Sequence, residues 1–453
     1  MTIKIRRVLF YGLTLTFFVV GAATVFYSNG WRFDWETFAI SKLGAIYFKN
    51  LPPDSSVTIE KTNIKFEPGI LKSGLYVANL FPKNYPAKVV KNGYQVWFKE
   101  ISVKPSLVTE IPQIVLGPEK LIFEKPIAEK IADFWLGPEH FVLLNQDGNL
   151  LFNGKKIAGQ EILSWSADGK SALTKGGNNY FAVDLNNLSK SALAGQAVNL
   201  SLTFNNLRKN LGKKDSSAIQ TIHFYPENNN KFLVKTANDI YSLDHKKMSL
   251  TPLHLDEIGY FTERDGEMIF SRGIKAYVYN LNSGSPEPLA LAKENNSKII
   301  NIGVSPSDRY LSFLSEDGTL QIFDEDAQSA KIIARNAKSS AFSPDSKKIA
   351  FLSGNKEIVI YNLTADEQEL KNKRQKQTII LNIGATENTL FNWHKDSHYL
   401  FVKYPDALYL LEGDAFPPIN FQLIDSSNQK YAYHPETEVL YLLKNNSLYS
   451  IIF

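Results

Sequence analysis

Seven histidines, His140, His223, His245, His254, His394, His398 and His434, are the side chains here that could hold a metal or move a proton near neutral pH. Only His394 and His398 show a suggestive spacing, since residues four apart share one face of a helix. They flank a Lys-Asp-Ser turn between two strand-like runs, so the spacing does not build a ligand pair. Asp324, Glu325 and Asp326 follow a strand and read more simply as a solvated turn than as a calcium site. Cysteine is absent, which removes disulfides, thiolate catalysis and Cys-ligated zinc together. No Gly-rich phosphate loop, nucleophile elbow or metalloprotease motif is found. No catalytic residue, cofactor ligand or metal ligand is assigned from the sequence. Acid pairs that cleave glycosides must lie about 5 to 9.5 Å apart in space, a property that sequence does not display.

The elements that would position any such groups are mostly strands. Phe (29) and Tyr (21) are abundant while Met (3) is scarce, the bias expected of pleated surfaces. With 453 residues, 44% of them hydrophobic, the chain has material for a large core and more than one domain. A net charge of +4 spread over that length gives no basis for a nucleic-acid partner.

One segment departs from this pattern. Val8 to Tyr27 carries no charge, and a helix of that length rises about 1.5 Å per residue, enough for a hydrocarbon core of about 30 Å. Lys4, Arg6 and Arg7 precede it, so the positive-inside bias keeps residues 1–7 in the cytoplasm and sends everything after Ser28 outside. Gly21, Ala22 and Ala23 offer a signal peptidase small residues, but the apolar run continues past them, which favours a retained anchor at 8–27. Residues 28–43 then read as a juxtamembrane linker.

Residues 44–117 alternate short strand-like runs with Pro, Gly, Asn, Asp and Ser, and predict a small antiparallel sandwich. Within them Pro82-Lys83-Asn84-Tyr85 leads through an alternating strand to Asn92-Gly93-Tyr94 and Trp97. That order resembles the PEGA domain, a β-sandwich with a Pro-Gly-x-Tyr turn and a Gly-Tyr turn. Pro53 and Asp54 stand where the family has the first half of its Pro-Glu-Gly-Ala signature. Ser55, Ser56 and Lys83 replace small residues of its motifs. The resemblance implies a spacer or adhesion module without catalytic residues.

From about residue 119 one unit recurs, clearest in Phe342-Ser-Pro-Asp-Ser-Lys-Lys-Ile-Ala-Phe351: a strand, a tight turn, a second strand, and then a third at Glu357 to Leu363. Pro presets φ at the second turn position and Ser bonds the backbone at the first. The anchors of the units are Trp135, Trp165, Phe224, Phe261, Val304, Phe342, Trp393 and Tyr433. Eight anchors predict a β-propeller over 118–453 of about eight blades, or seven if Trp135 belongs to a connection. Residues 119–125 are the expected strand that closes the ring. Leu200, Phe204, Leu207 and Leu211 fall at helical spacing, and Asp366 to Gln377 reads as a charged excursion. The turn wording resembles TolB-like and WD-repeat propellers, and absence of the Trp-Asp dipeptide makes the TolB-like comparison the better one.

The sequence therefore predicts an all-β protein behind a single transmembrane helix, with a PEGA-like sandwich and then the propeller. The expected role is a membrane-anchored, extracytoplasmic binding or scaffold protein of a bacterial cell envelope, presenting a propeller face to protein or glycan. The alternative is an envelope enzyme that cleaves polysaccharide or peptide with acids gathered at the propeller channel.

Overall fold

A computed structural model describes the chain except at residues 1–2, 36, 61, 67–73, 124, 187–196, 212–216, 227, 295, 355–356, 365–376, 383–388, 406, 414–417, 427–428 and 453. The chain divides into two compact units, residues 1–121 with 414–424, and residues 122–413 with 425–453.

The first unit begins with helix α1 (Ile3–Ser28), none of whose residues is buried and whose apolar window has a mean hydropathy of 2.0. It is long and apolar enough to cross a membrane once. Its hydroxyls are satisfied within the helix: Thr14, Thr16 and Thr24 donate to the carbonyls of Phe10, Gly12 and Val20 at 2.8, 2.9 and 2.8 Å. A helix placed in lipid would need such internal bonds, because lipid offers no partner of its own. The stretch expected as a linker instead folds back as a hairpin, Trp31–Asp34 against Ala39–Lys42. The Arg32 guanidinium sits 3.3 Å from the centre of the Tyr27 ring and donates to the Tyr27 carbonyl at 2.6 Å.

Two sheets follow in this unit. One runs in the order Thr62–Lys65, Ser56–Ile59, Asn84–Val90 and Trp97–Ser102, antiparallel throughout. The other places Gly44–Phe48 between Leu75–Leu80 and Val108–Ile111. Its last pairing is parallel, Ala45 opposite Val108, which corrects the antiparallel expectation. Parallel neighbours need a long connection, and the intervening strands of the first sheet supply it. Alternation buries Tyr85, Ala87 and Val89 from one strand and Trp97, Lys99 and Ile101 from the next, so apolar side chains of both sheets share one core.

The second unit holds the repeats, and β-strands dominate it. Among its described residues are seven four-stranded antiparallel sheets and three strands of an eighth. They are blades 1 to 8, numbered here by their innermost strands: Ile131–Leu136, Glu161–Trp165, Thr221–Tyr225, Phe261–Arg264, Ile299–Val304, Ala337–Phe342, Leu390–Trp393 and Lys430–His434. Strand order within blades 1 to 6, and among the three strands of blade 7 in this unit, follows the chain outward. Blade 8 has three strands from the end of the chain, and its outermost strand is Ala128–Glu129, which pairs with Ser447–Ile452. Innermost strands of blades 1 and 8 are neighbours, so the ring is closed.

The closing strand thus lies downstream of 119–125. Pro126 has no N–H to give a ladder, and the first bond to blade 8 is Ile127 N–H to the Leu448 carbonyl, 2.8 Å. Phe123 meets blade 8 through its ring, 4.8 Å from that of Tyr449. Helix α2 (Leu200–Asn210) forms where the helical spacing predicts one, capped by the Asn199 side chain and burying Leu200 and Phe204. The charged excursion from Asp366 lies outside the described residues up to 376, and Gln377 opens the outermost strand of blade 6.

Candidate functional site

Two places on the propeller gather polar side chains: the ring of turns that ends each innermost strand, and the channel wall formed by those strands. The sequence of the turns recurs from blade to blade. Ser166, Ser305 and Ser343 each accept, through Oγ, the backbone N–H of the residue five positions on, at 2.9 Å. In blades 2 and 6 the same hydroxyl donates to the turn aspartate: Ser166 to Asp168 at 2.7 Å and Ser343 to Asp345 at 2.6 Å. Burial opposes ionisation of both carboxyls. The bonds from serine and from the Lys170 and Lys347 amides outweigh it, so both pKa values lie below the ordinary carboxylate value.

These turns also bond to one another across blades. Ser307 N–H donates to Ser346 Oγ at 2.9 Å, and Asp345 N–H to Ser397 Oγ at 3.0 Å, linking blades 5 to 6 and 6 to 7. Lys395 meets Glu438 at 2.8 Å between blades 7 and 8, and His434 Nε2 meets the Pro138 carbonyl at 2.7 Å across the closing seam. Arg264 of blade 4 donates to the Asp308 carbonyl at 3.1 Å and pairs with Glu325 at 3.0 Å. Ser346 and Ser397 adopt positive φ, 58° and 62°, a backbone region where glycine is the unstrained choice. Their hydroxyls explain serine: each accepts the neighbouring turn's N–H, which glycine could not do.

The candidates for metal chemistry resolve into this scaffold. His394 is buried, its Nδ1 lies 3.1 Å from Asp396 Oδ1, and its ring stacks on Tyr433 with centroids 5.2 Å apart. Burial, then Glu438, raises the Tyr433 pKa far above the ordinary phenol value. Asp324 and Asp326 both pair with Arg309 at 3.1 Å, so the three acids expected as a solvated turn are partners of Arg309 and Arg264. Among the described residues no three His, Asp or Glu side chains are grouped to hold a metal ion.

Seven of the eight anchors lie at or near the turn end of an innermost strand, and all eight are on such strands. Phe224, Phe261 and Trp393 are buried, while Trp135, Trp165, Val304, Phe342 and Tyr433 are partly buried. Phe261 differs in position, since it opens its strand, and a two-residue hairpin at Asp265 and Gly266 replaces the longer turn. Trp393 Nε1 donates to the Ala341 carbonyl at 3.0 Å, so this anchor ties blade 7 to blade 6.

Of the sandwich motif, Tyr85 and Trp97 are buried, and Tyr94 packs partly buried against the core. Gly93 and Asp54 take the positive φ of turn positions, 79° and 59°. Pro53 is exposed next to Asp54, and Pro82 is partly buried. Ser55, found where the PEGA motif has glycine, is fully buried and donates to the Pro52 carbonyl at 2.7 Å.

The channel wall holds what sequence reasoning missed. His223 Nδ1 lies 3.0 Å from Glu263 Oε2, joining blades 3 and 4. Lys430 Nζ lies 2.7 Å from Asp133 Oδ1, joining blades 8 and 1. These pairs are about 40 and 300 residues apart in sequence, and no local pattern announces them. Four innermost strands, of blades 1, 2, 5 and 6, also carry a bulge at their second or third residue. The residues skipped by the ladder, Ala132, Leu163, Ile300 and Lys338, are exposed, at the end of the strand away from the turn ring. A cleft of about 300 Å³ opens beside Leu163, between blades 2 and 3.

No protein-family model and no curated protein matches the chain. Among solved structures it is similar to the C-terminal WD40 domain of Sif2, at 11% identity over 73% of this chain and 98% of that one, with a TM-score of 0.46. It is also similar to the β-propeller domain of Myceliophteria thermophila Cps50 (Swd1), at 10% identity over 73% and 100% of the two chains, TM-score 0.41. A chain of the mitotic checkpoint complex matches at 14% identity over 75% and 98%, TM-score 0.43.

Proposed function

We propose that this protein is a membrane-anchored, extracytoplasmic binding scaffold of a bacterial cell envelope. In this reading residues 1–7 are cytoplasmic, 8–27 span the membrane, 44–117 act as a PEGA-like spacer, and the TolB-like propeller of 118–453 presents a face to an envelope protein or glycan. The observation that carries it is α1: none of its 26 residues is buried, and beyond the contacts of Phe26 and Tyr27 with Trp31 and Arg32 most of its apolar surface stays exposed. At roughly 25 cal/mol per Å² of apolar area, exposure of such a surface to water is far too costly for a free helix, and lipid is the solvent that suits it. The positive flank formed by Lys4, Arg6 and Arg7 supports an outward C-terminus.

A binding role suits a propeller whose channel wall includes two charge pairs that tie neighbouring blades together, His223 with Glu263 and Asp133 with Lys430. The test is a pair of reporters fused after Phe453, one active only in the cytoplasm and one only outside it. Activity of the external reporter alone is expected. Activity of the cytoplasmic reporter alone overturns the topology and the envelope role together.

A further inference from the structure

The hairpin that follows α1 holds an aromatic cluster on its outside. Trp35 and Phe38, near its tip, are 77% and 76% exposed, and Phe33 and Ile40 are exposed with them. Phe33 stands opposite Ile40 and Trp31 opposite Lys42, and alternate residues of a strand share a face, so Trp31, Phe33 and Ile40 lie on one side of the ribbon and Arg32 and Asp34 on the other. Phe33 meets Trp35 and Phe38 edge to face, with ring centroids 4.7 and 6.2 Å apart. Thr37 Oγ1 donates to Asp34 Oδ2 at 2.8 Å, which tightens the turn between the strands. The core of the sandwich includes none of these side chains among the described residues. Single exposed apolar residues are ordinary, but a contiguous group of four marks a contact surface.

The attachment of the hairpin to α1 identifies what covers that surface. Leu43 N–H donates to the Gly30 carbonyl at 3.2 Å, so the base of the hairpin closes on the turn that ends the helix. Phe26 of α1 meets Trp31 edge to face at 6.2 Å, and Arg32 is held on the Tyr27 ring and carbonyl. With the base fixed there, four strand residues at about 3.3 Å each keep the tip within about 13 Å of the helix end. A helix that crosses lipid ends at the headgroup layer, and a ribbon of that reach stays near the level where aromatic rings are favoured. Lys42, whose Nζ lies 5.4 Å from the centre of the Trp31 ring, stands at the base, where its apolar stem lets the amine reach water.

We propose that this hairpin binds a lipid surface: it lies against the leaflet at which α1 ends, with Phe33, Trp35, Phe38 and Ile40 in the boundary between headgroups and acyl chains. The inference rests on the reading of α1 as a span and adds a second contact with the same bilayer. Interfacial anchors set how far a span sinks and tilts, so the two together fix the helix end in a way that a lone span does not.

Because the chain has no cysteine, a single Cys substitution gives a single nitroxide label. Full-length Trp35→Cys, Phe38→Cys, Leu15→Cys at the middle of α1 and Lys246→Cys on an exposed turn of blade 3 are labelled and reconstituted in phosphatidylcholine vesicles. Power-saturation EPR then compares collision with oxygen, which enters lipid, and with a nickel chelate, which stays in water. The oxygen-to-nickel ratio at positions 35 and 38 is expected to exceed that at 246 severalfold and to fall short of that at 15, as a shallow interfacial depth requires. Phe33→Ser with Trp35→Ser, added to Phe38→Cys, is expected to return position 38 to the ratio at 246. A ratio at 35 or 38 equal to that at 246 overturns the inference, and so does an unchanged ratio at 38 in the serine background. Shielding of both positions from both reagents also overturns it, since a second copy of the chain would then cover the rings. The label at position 15 reports the span separately: a high ratio there beside water-like values at 35 and 38 removes the hairpin contact alone, whereas water-like values at all three remove the span with it.

Discussion

At the scale of single residues, the turn serines carry two opposing effects. Ser397 holds a positive φ of 62°, which costs an L-residue about 1–2 kcal/mol, while its Oγ accepts the Asp345 N–H. Ser397→Ala keeps the backbone strain and loses the bond, so it should destabilise the protein by about 1–2 kcal/mol. Ser397→Gly loses the same bond but relieves the strain, and should come out near neutral in thermal or urea unfolding. Equal losses in both variants would remove the hydroxyl from the account.

Asp345 gives a pH dependence with a definite sign. Its pKa is lowered in the folded state, so as the medium is acidified the unfolded chain takes up the proton first. The stabilisation is complete above the ordinary carboxylate pKa of about 4 and drains away as pH falls through the depressed folded value. Thermal midpoints measured from about pH 6 to pH 3 should therefore fall more steeply for the parent than for Asp345→Asn. The serine-aspartate turn itself was readable in the sequence, because its residue types are those that bond to their own backbone. Its partner one blade away was not, because Ser397 lies 52 positions from Asp345.

At the scale of elements, the packing between blades sets tight limits. A Cβ placed on Gly137 would lie 2.7 Å from the Trp165 ring, which is rigid and belongs to the next blade. Gly137→Ala should accordingly destabilise the protein by about 1–3 kcal/mol, measured by chemical denaturation, and a neutral result would show that blades 1 and 2 can part without cost. Strand alternation made the sandwich strands legible: Asn84–Val90 buries its second, fourth and sixth residues as its sequence suggests, whereas Trp97–Ser102 alternates but buries Lys99 and exposes Phe98. Helix α2 was legible from spacing alone. The parallel pairing of Gly44–Phe48 with Val108–Ile111, and the four bulges, were not, since register is decided by the partner strand. The closing strand was misplaced for the same reason. EKLIFEK has the better strand composition, but Pro126 and the position of Ser447–Ile452 select Ala128–Glu129.

For the whole molecule, the proposed anchoring makes a direct prediction about fractionation. Full-length protein should stay with membranes through an alkaline carbonate wash, as a peripheral protein would not. Leu15→Arg combined with Phe18→Arg puts two charges at the centre of α1, each costing about 2.5–3.5 kcal/mol in a helix that inserts. That variant should shift to the soluble fraction or fail to be exported, and unchanged membrane retention would argue against a span.

A circular array is only as durable as its join. Among the described residues the join includes a two-residue strand, the Ile127 and Ile131 amides bonded to the carbonyls of Leu448 and Asn446, the imidazole contact from His434 to Pro138, the Lys430–Asp133 ion pair, and a small apolar cluster of Ile131, Phe134, Leu443 and Leu448. Seven of the blades are knitted by continuous chain, whereas this one is fastened by a clasp of few bonds, so breathing motions should begin there. In deuterium exchange the amides of Ile127, Ile131 and the Ser447–Ile452 strand should lose protection before those of blades 5 and 6. Ile127→Pro, which deletes one of those donors, should hasten that exchange without altering it in the sandwich.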